Sequence, residues 1–279
     1  MDRPVPTVLS IAGSDSGGGA GIQADLKAFA RCGVHGMTAI TALTAQSTVG
    51  VDAVQPSSPE MIFAQVKAVA EDLGVDAVKI GMLGTTETVY AVRDALELLA
   101  PGTPVVLDPV MVSESGAVLL DDPARQAIVD ELLPLATVIT PNVPEARVLA
   151  GGDPRDAQDA EGLVRRLHEL GPENVVVTGG HRDVATDVFF DGEAIQLIPG
   201  ERHADGAAHG SGCTHSSSLA AHLALGHTPL EAARAAREVA GAAVRDGLRH
   251  LGAGPGPVDV FGLTARGAPS GHRATRRVT

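Results

Sequence analysis

The feature that most constrains the fold of this chain is a regular alternation between short apolar runs and longer amphipathic stretches. The apolar runs, rich in β-forming residues, cover residues 7–12, 36–45, 75–80, 105–107, 138–140 and 174–178. Helical patterns occupy residues 22–32, 58–73, 86–99, 123–133, 157–170, 216–225 and 229–251. Strands that alternate with helices in this way predict right-handed crossovers and one mostly parallel sheet with helices on both faces.

Polar or glycine clusters follow the ends of these predicted strands. The clusters lie around Asp15, Gln46, Met82, Asp108, Asn142 and Gly179. The carboxyl ends of parallel strands meet at one edge of the sheet, and ligands bind at that edge. The sequence therefore predicts one binding site that all six clusters help to form.

Two further segments predict antiparallel additions to the sheet. Residues 187–190 and 193–198 flank Asp191-Gly192, which is a hairpin signature. Residues 48–54 alternate in the manner of a small strand or flap, and a flap beside a pocket could exclude water.

The motif His209-Gly210-Ser211-Gly212-Cys213-Thr214 leads into the predicted helix at residues 216–225. A glycine turn before a helix leaves backbone N–H groups unpaired, and the helix dipole adds partial positive charge, so the motif predicts an anion site. The same groups are expected to lower the pKa of Cys213 from about 8.5. A proton acceptor beside an anion site is what phosphoryl transfer to a hydroxyl requires. The structural alternative is a small buried cysteine after an ordinary turn.

Composition limits the classes of protein to which the chain can belong. A length of 279 residues with 44% hydrophobic content fits one large α/β domain. A net charge of −13 and the scarcity of aromatic residues argue against binding nucleic acid or an anionic membrane. Cys32 and Cys213 lie too far apart to suggest a disulfide framework, and the sequence carries neither a signal peptide nor a membrane-spanning run, so we expect a cytoplasmic protein.

Five segments together resemble the bacterial hydroxymethylpyrimidine and phosphomethylpyrimidine kinases of thiamine biosynthesis. The segments are residues 12–27, 41–46, 79–83, 140–146 and 209–214. The likeness runs from about Val8 to Val260. It implies a ribokinase-like fold, a three-layer α/β/α sandwich whose mostly parallel central sheet carries a small β flap. It also implies a single kinase domain over residues 1–262 and a homodimer.

The resemblance implies ATP-dependent phosphorylation of 4-amino-5-hydroxymethyl-2-methylpyrimidine, followed by phosphorylation of the monophosphate to the diphosphate. Cys213 would accept the hydroxymethyl proton, and the amides of Gly210, Ser211, Gly212 and Cys213 would hold the transferred phosphoryl group. Gln46 would bind the aminopyrimidine, and Asp25 would lie near the hydroxymethyl end. The remaining residues implied for the substrate pocket are Gly13, Ala20, Thr44, Met82 and Val110.

Asn142 and Glu145 match the family's Asn-x-x-Glu element, which arranges Mg²⁺ and the phosphates, and Asp108 is placed to help hold the metal. The residues implied for ATP binding are Asn142, Thr178, Gly180 and Ser211. Structural alternatives remain, since Asn142 could stabilise its turn and Asp108 could cap the following loop.

The chain departs from its relatives at Thr178, where many related kinases carry a lysine that contacts the nucleotide phosphates. Neutralisation of the phosphates must then depend more on Mg²⁺, on the anion site or on a cation elsewhere in the chain. Sugar kinases of the broader fold carry aspartate at the position of Cys213, which points away from a sugar substrate.

Two other functions stay open at this point: a pyridoxal kinase, and a non-catalytic sensor of pyrimidines or nucleotides. The histidines at 203, 209, 215 and 222 match no zinc signature, so surface or turn roles are expected for them. Residues 263–279 lack apolar periodicity and are predicted to be a disordered tail.

Overall fold

The computed structural model describes residues 4–114, 116–152, 159–179, 185–203 and 206–266. Over these residues the strands are β1 (Thr7–Asp15), β2 (His35–Gln46), β3 (Val51–Pro56), β4 (Ala77–Ile80), β5 (Val105–Leu107), β6 (Val138–Ile139), β7 (Asn174–Val177), β8 (Asp187–Phe190) and β9 (Ile195–Ile198). They form one sheet in the order β3-β2-β1-β4-β5-β6-β7-β8-β9.

The centre of the sheet is parallel and its two ends are antiparallel. All pairings from β2 through β1 to β7 are parallel, whereas β3 pairs antiparallel with β2, and β8 and β9 continue antiparallel from β7. The predicted parallel sheet, the flap and the hairpin are therefore all present. β2 and β3 are joined by the loop that carries the tip of the flap.

Helices cover both faces of the sheet. They are α1 (Gly21–Cys32), α2 (Pro59–Asp72), α3 (Thr86–Leu96), α4 (Asp122–Ala127), α5 (Val143–Leu149), α6 (Ala160–His168), α7 (Ser211–Ala224) and α8 (Pro229–Arg245). Buried residues of α1, α7 and α8 pack on one face, and those of α2 to α6 pack on the other. Because successive side chains of a strand point to opposite faces, Val8 joins the first layer and Leu9 the second. The layers confirm the predicted α/β/α sandwich.

The N-terminus of α7 differs from those of most other helices in that it lacks a side-chain cap. Helices α2 to α6 and α8 each start with a side-chain cap, for example the reciprocal capping box of Thr228 and Glu231 on α8. Helix α7 has no such cap, because its N-cap residue is Gly210. The first N–H groups of α7 are thus not satisfied by a neighbouring side chain.

Several helix boundaries differ from the sequence prediction. Helix α7 begins at Ser211 instead of residue 216, so the glycine motif is itself the helix N-terminus. Helix α8 ends at Arg245; two residues later, Gly247 packs closely on Ala207, where an added Cβ would lie 2.6 Å from the Ala207 Cβ. The predicted helix at 123–133 changes after α4 into a π-helical turn, Ile128–Leu132.

Within the described residues, no helix is long and apolar enough to cross a membrane. Residues 263–266, at the start of the predicted tail, form turns in which the Thr264 N–H donates to Asp259 Oδ2 at 3.0 Å. The rest of that tail, residues 267–279, lies outside the described residues, as do residues 153–158 at the start of the predicted helix 157–170.

Candidate active site

A cavity of about 410 Å³ opens at the carboxyl edge of the sheet, and it brings together the clusters that follow the strands. The residues of the predicted site that line it are Gly13, Ala20, Thr44, Gln46, Met82, Asp108, Val110, Asn142, Glu145, Thr178, Gly210, Ser211, Gly212 and Cys213. Gly180 lies outside the described residues. The convergence predicted from the sequence is therefore present.

Gly210 has a backbone conformation that only glycine adopts without strain. Its φ angle is +85°, and a Cβ at this position would lie 1.8 Å from the carbonyl oxygen of Gly19. Ser211 N–H donates to Ala208 C=O, and Thr214 N–H donates to Gly210 C=O. Among the described residues, the N–H groups of Gly212 and Cys213 therefore remain at the cavity for an anion.

The predicted lowering of the Cys213 pKa is wrong. Burial raises the pKa of the thiol to about 12; nearby Lys79 opposes this change, while Asp25 and Asp108 add to it. The sequence showed the helix N-terminus but not the two carboxyl groups that the fold places beside the sulfur. The thiol is therefore protonated at neutral pH in the absence of ligands.

Lys79 is the functional candidate that sequence reasoning missed. It lies on β4 with no exposed surface, and its Nζ is 3.0 Å from Asp25 Oδ1 and 3.8 Å from Asp108 Oδ2. Burial alone would lower its pKa, but the attraction of these carboxylates raises the pKa above the ordinary value for lysine. The available signal was a single charged residue inside the otherwise apolar end of a predicted strand, residues 77–80.

The structure does not place Asp25 at the wall of the cavity, where the resemblance implied that it would lie. Asp25 is fully buried behind Lys79, where it accepts hydrogen bonds from Ser10 Oγ at 2.6 Å and from Ser217 Oγ at 2.7 Å. It is not among the residues that line the cavity. Its position therefore indicates that it acts on the site through Lys79.

The pocket end beneath the flap is held by hydrogen bonds between neighbouring strand ends. Ser16 Oγ donates to the Gln46 carbonyl at 2.8 Å and accepts the Gln46 N–H at 2.9 Å. The Thr44 hydroxyl bonds Ser14 C=O at 2.9 Å and lies 3.3 Å from Gln46 Oε1. These contacts fix the backbone from which the Gln46 amide reaches the cavity.

Asn142 forms the cap that the structural alternative described. Its side chain accepts the Glu145 N–H at 2.9 Å, and Glu145 Oε2 accepts the Asn142 N–H at 2.9 Å. Burial raises the pKa of Glu145 to about 8, and Asp108 adds to the effect. Asp108 itself accepts a hydrogen bond from Ser216 Oγ at 2.9 Å, and burial raises its pKa.

The far end of the cavity contains a second buried charge cluster. Asp187 accepts the Gly179 N–H at 2.8 Å, and it lies 3.3 Å from His215 Nε2 and 3.6 Å from Arg237 Nη1. Burial alone would raise the pKa of Asp187. The interactions with His215 and Arg237 are stronger than this effect, so the pKa is lowered overall. The expectation of surface or turn roles is wrong for two of the histidines, because His209 and His215 are 6% and 4% exposed.

The fold and the cavity define a ribokinase-like kinase. A mostly parallel sheet places an uncapped helix N-terminus, a cysteine and the carboxyl groups of Asp108 and Glu145 at one cavity. The sequence profile described as phosphomethylpyrimidine kinase matches residues 15–259. The chain belongs to the phosphomethylpyrimidine kinase family.

Individual relatives agree with this assignment. A hydroxymethylpyrimidine/phosphomethylpyrimidine kinase of Rhizobium meliloti is 48% identical over 261 residues, which covers 91% of this chain and 96% of the relative. The structure of a phosphomethylpyrimidine kinase from Clostridium difficile has 39% identity and a TM-score of 0.73, covering 84% of this chain and 96% of that one. An ADP complex of Bacillus subtilis pyridoxal kinase has 37% identity and a TM-score of 0.83, covering 93% and 99%.

Proposed function

We propose that this protein transfers the γ-phosphoryl group of ATP to the hydroxymethyl group of 4-amino-5-hydroxymethyl-2-methylpyrimidine, and then phosphorylates the resulting monophosphate. One observation carries the proposal: the uncapped N-terminus of α7 presents its amides and Cys213 to the cavity that Gln46 and Glu145 also line. The distances and burial of these groups support a role for each.

The pocket beneath the flap suits a small aminopyrimidine. The Gln46 side-chain amide offers both donors and an acceptor to the edge of a heterocycle. Met82 supplies an apolar surface next to Gly13, where an added Cβ would lie 3.0 Å from the Met82 Sδ. A larger residue at position 13 would therefore narrow the pocket.

In the proposed reaction, the hydroxymethyl oxygen bonds to the γ-phosphorus while the bond from that phosphorus to the ADP oxygen breaks. The hydroxyl proton passes to the Cys213 sulfur, and the amides at the start of α7 hold the phosphoryl oxygens. Because the resting thiol is protonated, it must first release its own proton to solvent, and positive charge nearby favours the thiolate that then accepts the hydroxyl proton. Lys79 supplies part of that charge from inside the protein.

The residues present fit a magnesium ion. Mg²⁺ prefers oxygen ligands from one or two carboxylates together with nucleotide phosphates. The carboxylates of Glu145 and Asp108 are buried and repel each other, so a cation beside them would stabilise their ionised forms. Lys79 and Arg237, two of the cations that line the cavity, are already paired, with Asp25 and Asp187 respectively. When bound, Mg²⁺ would therefore supply the phosphate neutralisation that Thr178 cannot.

A pyridoxal kinase is the second candidate, because the similarity to the Bacillus subtilis enzyme covers nearly all of both chains. The deciding experiment compares rates with Mg-ATP on the hydroxymethylpyrimidine, on its monophosphate and on pyridoxal. We expect the highest kcat/KM on the pyrimidines. Turnover of pyridoxal alone would overturn the proposal, and binding of the pyrimidine without turnover would indicate a sensor.

The same assay tests the role of Cys213. We expect Cys213→Ala to keep substrate binding and lose nearly all turnover, with Cys32→Ala as the matched control. An unchanged kcat in Cys213→Ala would remove the cysteine from the mechanism. The predicted homodimer is a separate proposal, and light scattering on the purified chain tests it. The predicted cytoplasmic location also stays a proposal, to be tested by fractionation of cells that express the chain.

A further inference from the structure

His209 joins three segments of the chain around the active site. Its Nε2 lies 3.1 Å from Asp15 Oδ2, and its backbone carbonyl accepts the Val258 N–H at 3.1 Å. The next residue, Gly210, is the N-cap of α7. One buried residue thus contacts the loop at the end of β1, a strand-like segment near Val258 and the start of the anion site.

Asp15 holds the other side of this contact. Its carboxylate accepts the backbone N–H groups of Gly17 at 2.7 Å, Gly19 at 3.0 Å and Ala20 at 2.8 Å, in addition to its contact with His209. These bonds fold residues 15–21, which we call the glycine loop, around one carboxylate. The loop supplies Ala20 and Gly21 to the cavity wall.

The glycine loop and the anion site fit together without spare room. A Cβ on Gly19 would lie 2.2 Å from the His209 Cδ2, and a Cβ on Gly210 would lie 1.8 Å from the Gly19 carbonyl oxygen. At its other end, the loop brings Gly21 to the cavity wall that Cys213 also lines, and the Gly21 backbone lowers the pKa of the Cys213 thiol slightly. The position of the loop therefore also determines the surroundings of the sulfur.

We infer that Asp15 and His209 are positioning residues that hold the substrate-side glycine loop at a fixed position relative to the anion site of α7. We call this relative position the register of the loop. The inference deepens the proposed kinase reaction and rests on it. Neither side chain has to touch the reacting atoms, because the Asp15–His209 contact acts through the loop and through the start of the helix. Its function is to keep the substrate hydroxyl, and not water, in line with the γ-phosphorus.

Loss of this register has a specific chemical consequence. If the glycine loop moves away from the anion site, bound ATP keeps its phosphate contacts but a water molecule can take the place of the hydroxyl. The water oxygen then bonds to the γ-phosphorus, the bond to ADP breaks, and ADP, inorganic phosphate and a proton are released. The ratio of ADP formed to phosphorylated pyrimidine formed thus reports the register, whereas simple unfolding lowers both amounts together.

The test compares His209→Phe, which keeps a ring but loses the donor, with His209→Gln, which keeps an N–H near the position of Nε2. We expect His209→Phe to lower kcat on the pyrimidine by about 100-fold, as misplacements of about 1 Å do. We also expect ADP to form in clear excess over product, with the affinity for Mg-ADP changed by less than about twofold, since two of the residues implied for ATP binding, Asn142 and Thr178, lie at the ends of other strands. His209→Gln should recover most of the kcat and the wild-type ratio.

A second variant and a control guard against a misfolded protein. Asp15→Asn keeps the size of the side chain but weakens its bonds to the loop, so it should raise the same ratio. His168→Phe is the matched control, because His168 packs edge-on against Phe190 and does not line the cavity. Its ratio should equal that of the wild type.

Two results would overturn the inference: a wild-type ratio in both His209→Phe and Asp15→Asn, or a His209→Gln variant as impaired as His209→Phe. Wild-type protein that phosphorylates no pyrimidine would instead refute the proposed function. Hydrogen exchange of the Gly17–Ala20 amides separates the two failures, because it needs no substrate. Faster exchange in His209→Phe and not in His209→Gln supports the positioning role, and equal exchange in both variants counts against it.

Discussion

Replacement of Lys79 by methionine tests the buried charge cluster most directly. Met preserves the length and apolar stem of the side chain but leaves the Asp25 carboxylate buried without its cation. The Lys79 Nζ lies 3.0 Å and 3.2 Å from the two Asp25 oxygens, and neither residue has exposed surface. Removal of one member of such a pair costs about 3–5 kcal/mol in the free energy of unfolding.

The remaining contacts of Asp25 decide where in that range the loss falls. Ser10 and Ser217 still donate hydrogen bonds to the carboxylate, so we expect a value near the lower end, about 3 kcal/mol. For a chain of 279 residues, with an unfolding entropy of about 2.1 cal/mol/K per residue, this corresponds to a decrease in Tm of about 5 °C.

Urea unfolding of four proteins measures the effect: wild type, Lys79→Met, Asp25→Asn and the double variant. The double variant removes both charges, so it should recover more than half of the stability lost in Lys79→Met. Lys67→Met is the control, since Lys67 pairs with Glu71 on the surface and its loss should leave the midpoint unchanged. A Lys79→Met midpoint equal to that of wild type would refute the reasoning, as would a double variant no more stable than Lys79→Met.

Three further outcomes are expected. Because burial raises the Cys213 pKa to about 12, the rate of its alkylation by iodoacetamide, followed by mass spectrometry, should still rise above about pH 9, where a free thiol levels off; a plateau would contradict this. The folded state holds a proton on Glu145 between pH 4.5 and about 8, so unfolding free energy falls as pH rises through that window, and urea titrations of Glu145→Gln should show a shallower fall. Gly210→Ala, which meets the Gly19 carbonyl, should nearly abolish turnover, whereas Gly226→Ala, with a similar φ but open space, should cost only about 1 kcal/mol and keep kcat.

The sequence predicted the fold because the local patterns and the global topology agree. Apolar runs separated by amphipathic helices favour a parallel sheet with right-handed crossovers. In such a sheet the polar clusters that follow the strands lie together at the carboxyl edge. Boundaries were less predictable. Helix α7 starts at Ser211 because the left-handed Gly210 is its N-cap, and glycines within residues 209–212 hid that start from a count of helix-forming residues.

Only part of the chemistry of the site could be predicted from the sequence. Adjacent residues revealed the amides around Cys213, but the groups that set its pKa come from α1, β4 and the loop after β5. The pairing of Asp15 with His209 spans 194 positions of the chain, and no local pattern indicates it. Burial and long-range pairing decide whether a charged side chain faces the ligand, as Lys79 does, or stands behind it, as Asp25 does.

The contact between the flap and the segment around Gly254 has a consequence for biosynthesis. Gly254 N–H donates to Thr48 Oγ1 at 3.2 Å, and a Cβ on Gly254 would lie 1.9 Å from the Thr48 carbonyl oxygen. A nascent polypeptide still inside the ribosome beyond Arg249 would already contain every residue proposed for catalysis, yet the flap would lack the segment against which it rests. Such a chain could fold its sheet during translation and complete the packing of the flap only after the segment around Gly254 has left the ribosome.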